Sequence, residues 1–91
     1  MKRLLAADLY RYLLKLMTIL QQRGAVGLFQ RVYFASRFVS SLTTSEFLQE
    51  AAITLKSVQT DHGTLLNERE ISERQSILQG IDYEFWFVGQ Q

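Results

Sequence analysis

The chain has 91 residues, of which 47% are hydrophobic, and it contains no Cys, no Pro and a single His. A chain of this length forms one compact domain that buries only about 60 to 65% of its unfolded surface, so a multidomain enzyme is excluded. Without Cys and with one His, the composition also excludes disulfides, thiolate catalysis, zinc fingers and His-rich metal sites.

The formal net charge of +1 conceals a strong charge asymmetry along the chain. Seven Lys and Arg residues against one Asp give residues 1–45 a net charge of +6, whereas three cations against eight carboxylates give residues 46–91 a net charge of −5. A chain that is polarised in this way presents one half to a partner of opposite charge.

The N-terminal segment is basic, but Asp8 and Arg11 interrupt its apolar run before it reaches secretory length, so we expect no signal peptide. Regularly placed cations also keep every apolar stretch below the roughly 18 residues that span a bilayer. The acid-poor amphipathic pattern of residues 1–23 is compatible with an uncleaved mitochondrial targeting helix. It is equally compatible with a bundle helix that has a basic solvent face.

Two helices are predicted in the basic half. Apolar residues spaced by three and four predict the first over residues 2–22, and Gly24 is its expected stop because glycine accepts the left-handed conformation of a helix cap. The second is predicted over residues 28–42. Its apolar residues cover more than half of its circumference, so neighbours in the chain, a partner or a ligand must contact it on two sides. A strand over residues 32–34 is the competing prediction, but the flanking arginines lack the period of two.

The acidic half predicts a third helix and an aromatic tail. Thr43 and Glu46 have the spacing of a capping box, which places the start of the third helix at residue 43. Residues 67–80 either continue its pattern or form a short separate helix. We therefore expect an all-α fold, with a three-helix antiparallel bundle over residues 1–66 and a C-terminal extension over residues 67–91. The extension docks on the bundle or on a partner through Tyr83, Phe85, Trp86 and Phe87.

The sequence contains no recognisable active-site motif. Glu70 and Glu73 would share a helix face, but Glu68-Arg69-Glu70-Ile71-Ser72-Glu73-Arg74 is typical of a solvated face with local ion pairs. His62 is expected at a helix end or turn, since no other candidate ligand or catalytic partner accompanies it. We therefore expect no enzyme, no catalytic residue and no metal. Nucleic acid is an unlikely partner outside a ribosome, because the cations are spread rather than clustered.

Two motifs resemble a known family. Residues 8–15 have the sequence DLYRYLLK, and residues 31–38 have the sequence RVYFASRF. Together with the chain length and the N-terminal position of the first motif, they resemble the LYR-motif family of small mitochondrial three-helix proteins. The family tends to carry a Phe late in its second helix. Phe38 lies one turn early for that position, and Leu42 is the alternative.

The resemblance implies a non-enzymatic adaptor for the mitochondrial acyl carrier protein. It implies that Leu9 packs inside, that Tyr10 lies at the carrier interface or at the edge of the acyl-chain channel, and that Arg11 pairs with carrier carboxylates. Lys15, Arg31 and Arg37 are further candidates for the same surface. The +6 half agrees with an acidic carrier, because charge pairing raises the association rate and sets the orientation of the partner.

The resemblance also implies that no cofactor is bound directly and that the acyl-4'-phosphopantetheine of the carrier inserts its acyl chain between the helices. Each buried methylene would contribute about 0.8 kcal/mol. The candidate side chains of this acyl-chain channel are Leu13, Val32, Phe38, Leu42 and Leu55.

The host assembly is expected in the mitochondrial matrix or on the matrix face of the inner membrane. The aromatic tail and the apolar second helix favour permanent burial in an assembly. The expected host is a respiratory-chain complex, with the chain as subunit or assembly factor. The alternatives are a structural helical subunit of a mitochondrial complex or mitoribosome without the carrier, and an accessory protein of the iron-sulfur cysteine desulfurase.

Overall fold

The computed structural model of the chain describes Leu4 and residues 6–39, 44–61 and 66–89. Within these residues every regular element is helical: α1 (Ala6–Gln22), α2 (Val26–Ser36), α3 (Thr44–Asp61) and α4 (Glu68–Gly89), with a 3₁₀ turn at Arg37–Val39. The all-α prediction is confirmed for this part of the chain, and residues 32–34 are helical. Leu42, the predicted cap Thr43, and His62 lie outside the described residues.

Gly24 ends α1 in the way that the sequence predicts. Its φ is +73°, the left-handed region that glycine adopts without strain. The amide of Gly24 donates to the carbonyl of Gln21 at 3.2 Å, and the amide of Ala25 donates to the carbonyl of Leu20 at 2.9 Å. These two bonds form a Schellman motif, which satisfies the last carbonyls of α1 and turns the chain into α2.

The core lies where the first three helices meet. Each contributes residues at spacings of three and four to one continuous apolar cluster. On α3, Ala51 and Ala52 are both buried, which allows a neighbouring helix to approach closely. The largest fully buried side chains are Phe47, Leu9, Leu13, Leu16, Leu20, Leu55, Ile81, Val32 and Val58.

The C-terminal segment differs from the prediction, because four α-helices are present in the described residues instead of three helices with an aromatic extension. Residues 68–89 form α4, whose start is fixed by a capping box at Asn67 and Glu70. The Glu70 amide donates to Asn67 Oδ1 at 2.8 Å, and the Asn67 amide donates to Glu70 Oε1 at 2.9 Å. Two backbone donors at the start of α4 are thereby satisfied reciprocally.

α4 packs against the other helices through a narrow stripe. Ile81 is fully buried in the shared core, and Ile71, Ile77 and Leu78 pack against it. Gly80 allows Leu4 to approach α4 closely, because a Cβ at this position would lie 3.3 Å from the Cβ of Leu4. The division of the chain at residue 66 stays a prediction, although Ile81 joins the core of the preceding helices.

Candidate functional site

The motif residues of α1 divide between the core and the surface. Leu9 is fully buried, Tyr10 is half-buried against the core, and Arg11 is exposed. Successive helical residues are rotated by about 100°, so three adjacent positions face the core, its boundary and solvent in turn. The guanidinium of Arg11, whose side chain is 75% exposed, lies 3.7 Å from the carboxylate of Asp8.

Lys15 lies one turn after Arg11 on the same exposed face of α1, and it forms an ion pair with a residue of α4. Its Nζ lies 2.9 Å from Glu73 Oε2. Both side chains are more than one-third exposed, so this pair adds little to stability. It does place a carboxylate of α4 next to the basic face of α1.

A second ion pair joins the end of α1 to the start of α4. Arg23 donates from Nη1 to Glu70 Oε1 at 2.5 Å and from Nη2 to Glu70 Oε2 at 2.8 Å. The hydrogen bond from Arg23, and next the backbone bond from Asn67, hold the pKa of Glu70 below its usual value. The sequence predicts a solvated face with local pairs here, whereas Glu73 pairs with Lys15 of α1 and Glu70 pairs with Arg23, which directly follows α1.

Arg74 and Tyr12 lie buried between these two helices. Arg74 is only 3% exposed, and its Nε has no hydrogen-bond partner among the described residues. Burial, and secondly the charge of Glu73, raise the pKa of the Tyr12 phenol. The sequence pattern does not mark Tyr12, Arg23 or Arg74 as functional residues, and only the opposite charges of the two halves of the chain point to contacts of this kind.

The cations of the second motif belong to a different side of the bundle. Arg31 on α2 donates from Nη1 to Ser57 Oγ on α3 at 2.6 Å. Arg37 is exposed, and its guanidinium lies 5.9 Å from the centre of the Tyr33 ring, as a cation–π contact. Lys15 faces α4 and Arg31 faces α3, so the structure separates the cations that the sequence grouped together.

The candidate channel residues converge from three helices. Leu13 of α1, Val32 of α2 and Leu55 of α3 are each fully buried in the same apolar cluster. Phe38 is half-buried against this cluster, and the centre of its ring lies 5.0 Å from the centre of the Phe34 ring in an edge-to-face arrangement. The structure therefore brings four of the five candidates together, and Leu42 lies outside the described residues.

The aromatic residues of the predicted extension lie on α4. Tyr83 is half-buried and Phe85 is 37% exposed. Trp86 and Phe87 belong to the same helix, and their side chains lie outside the described residues. The proposed docking role of these four residues stays a prediction.

Neither a metal cluster nor a membrane span is found in the part of the chain that the structure describes. None of its groups of His, Asp and Glu has the three or more members needed to hold a metal ion. None of its helices combines the length and the apolar character that crossing a bilayer requires.

Comparisons with known proteins give no match to this chain. No family model matches it, and neither a curated protein nor a solved structure does so. The residues of the chain and their geometry are therefore the basis of the proposed function.

Proposed function

We propose that this chain is a non-enzymatic LYR-type adaptor, which binds the acylated mitochondrial acyl carrier protein and anchors it to a respiratory-chain complex as a subunit or assembly factor. The observation that carries the proposal is the arrangement of the α1 motif, with Leu9 buried, Tyr10 half-buried and Arg11 exposed. An acidic helix of the carrier would meet Arg11 and Lys15 while Tyr10 lines the edge of the contact.

The apolar core supports the second half of the proposal. Leu13, Val32 and Leu55 come from three different helices and meet in one cluster. Parting these helices would admit the acyl chain of the carrier's phosphopantetheine among aliphatic side chains, at about 0.8 kcal/mol for each methylene that is buried. In this proposal the chain binds no cofactor of its own and works in the mitochondrial matrix or on the matrix face of the inner membrane.

Co-expression of the full chain with the mitochondrial acyl carrier protein tests the proposal. We expect the two proteins to purify as a complex, and we expect Arg11→Glu to abolish it by placing a carboxylate against an acidic partner. Arg69→Glu is the matched control, because it reverses an exposed cation of α4 that is not among the proposed contact residues. Recovery of a stable monomer without the carrier would contradict the proposal, as would unchanged binding by Arg11→Glu.

Exposed apolar side chains favour a second candidate function, a structural helical subunit without the carrier. Val26 is 63% exposed and Phe34 is 60% exposed, both on α2, and such residues are typical of a surface that a partner covers. Such a subunit would belong to a mitochondrial complex or to the mitoribosome, and an accessory protein of the iron-sulfur cysteine desulfurase is a separate alternative. Co-purification with such an assembly in the absence of the carrier would favour it.

A further inference from the structure

α4 is an acidic helix, and it runs beside the basic helix α1. Five carboxylates against two cations give Glu68–Gly89 a net charge of −3. The two helices are antiparallel, because Glu70 in the first turn of α4 pairs with Arg23 at the end of α1, whereas Gly80 lies against Leu4, just before α1. α4 therefore presents to α1 the same kind of charged surface that an acidic partner would present.

A carboxylate of α4 already pairs with one cation of the proposed carrier surface. Glu73 Oε2 lies 2.9 Å from Lys15 Nζ, so a carboxylate of the carrier would compete with Glu73 for this ammonium. Both side chains of the pair are more than one-third exposed, and solvent screening makes such a pair easy to exchange. Arg11, one turn earlier on the same face, is 75% exposed. The carrier therefore has an accessible first contact at Arg11 and a competitor at Lys15.

The interface between α4 and α1 also buries the guanidinium of Arg74, beside Tyr12. Arg74 is 3% exposed, and its Nε has no hydrogen-bond partner in the part of the chain that the structure describes. Removing a guanidinium from water without a full set of hydrogen bonds is unfavourable. Movement of α4 away from α1 would return Arg74 to water, which offsets part of the packing that is lost.

The apolar contact of α4 has an equivalent in the proposed ligand. Ile81 is fully buried in the cluster that α1, α2 and α3 form. The acyl chain of the carrier is aliphatic, as the side chain of Ile81 is. It can occupy the position that Ile81 vacates and so recover the apolar burial.

We propose that α4 is an autoinhibitory helix, which covers part of the basic face of α1 in the free chain and is displaced when the acylated carrier binds. The inference rests on the proposed adaptor function and adds its regulation. The acidic helix of the carrier replaces Glu70 and Glu73, and its acyl chain replaces Ile81. A carrier without an acyl chain replaces only the charges, so it displaces α4 less readily.

Hydrogen exchange of the unmodified chain, alone and saturated with acylated acyl carrier protein, tests the proposal. The backbone amides of α4 should exchange at least about tenfold faster in the complex, because a displaced helix loses the packing that protects it. The amides of α1 should exchange more slowly. A complex in which α4 keeps its protection would overturn this inference and leave the adaptor function standing, whereas the absence of any complex would overturn both.

A cross-link that holds α4 in place tests the displacement by a second route. The chain contains no Cys, so the double variant Leu4→Cys/Gly80→Cys can form one defined disulfide. A Cβ at Gly80 would lie 3.3 Å from Leu4 Cβ, close to the Cβ–Cβ distance of about 3.5 to 4.5 Å in disulfides. Leu4→Cys also removes the two other Leu4 carbons that this Cβ would meet.

The same variant kept reduced is the matched control, and circular dichroism verifies that it is folded. Oxidation should weaken its binding of the acylated carrier by at least about tenfold, because the disulfide prevents α4 from leaving. Equal affinity in the oxidised and reduced states would overturn the inference.

Discussion

Arg23 near the end of α1 and Glu70 in the first turn of α4 form a two-point ion pair, with N–O distances of 2.5 and 2.8 Å. The same carboxylate accepts the amide hydrogen of Asn67 at 2.9 Å. Glu70 therefore does two things at once. It closes the capping box that starts α4, and it holds this end of α4 against α1.

Removal of the cap should destabilise the fold. Asn67→Ala deletes the side-chain acceptor of the Glu70 amide, and we expect it to lower the free energy of unfolding by about 1 kcal/mol. Urea denaturation measures this change. Asn67→Ser is the control, because a serine hydroxyl can accept the same bond and should restore most of the loss. Equal destabilisation by Ala and Ser would show that the cap is not the cause.

The stability that Glu70 provides should depend on pH in a defined direction. Its pKa in the folded chain lies below the ordinary value of 4.5, because Arg23 donates to it and, secondly, the backbone of Asn67 does so. The contribution is therefore complete above about pH 4.5 and is lost as the pH falls through the lowered pKa.

The matching variant is Glu70→Gln, which keeps a capping side chain at this position but cannot titrate. Urea denaturation from neutral pH to about pH 3 should show that the difference in stability between wild type and variant shrinks on acidification. Glu68→Gln, an exposed neighbour, is the control for the removal of one carboxylate. A difference that stays constant with pH would contradict the role of the Arg23 pair.

The two glycines around the first turn should respond oppositely to alanine. Gly24 has a φ of +73°, so Gly24→Ala should destabilise the chain by roughly 1 to 2 kcal/mol. Gly27 lies in α2, and a Cβ there meets no atom within 4 Å, so Gly27→Ala should be neutral or stabilise by up to about 1 kcal/mol. Thermal unfolding compares the two variants, and equal effects would contradict the assigned turn.

The Lys15–Glu73 pair makes a prediction about the proposed carrier contact. Glu73→Gln removes a carboxylate that lies 2.9 Å from Lys15 and would repel an acidic partner. We expect a severalfold faster association with the carrier and little change in stability, since the pair is exposed. Stopped-flow mixing measures the rate, with Glu68→Gln as control. An unchanged rate would remove Lys15 from the carrier surface.

The sequence predicts the first three helices better than the fourth. The spacing of the apolar residues in α1 and the stop at Gly24 are local signals, and the structure confirms both. In α4 the inward stripe of Ile71, Leu78 and Ile81 is interrupted by two buried charged residues, Arg74 and Glu84. These charged residues weaken the helical period of the apolar residues. After residue 81, acidic and aromatic residues alternate with a period of two, which is typical of a strand.

The burial of the three motif residues of α1 could be predicted from the sequence, whereas the long-range pairs of the candidate site could not. Leu9, Tyr10 and Arg11 occupy positions that follow from helical rotation alone. The partners of Lys15 and Arg23 lie 58 and 47 residues away, so only the packing of α4 brings them together. The family resemblance places Arg31 on the same surface as Arg11, whereas packing directs it to Ser57 of α3.

The most direct test of the proposed function is native mass spectrometry of the full chain after gentle purification from mitochondria. We expect a complex whose added mass equals one acyl carrier protein with an acylated phosphopantetheine arm. Arg11→Glu should lose this added mass, while Arg69→Glu should keep it. A wild-type chain that carries no such added mass under the same conditions would contradict the proposed function.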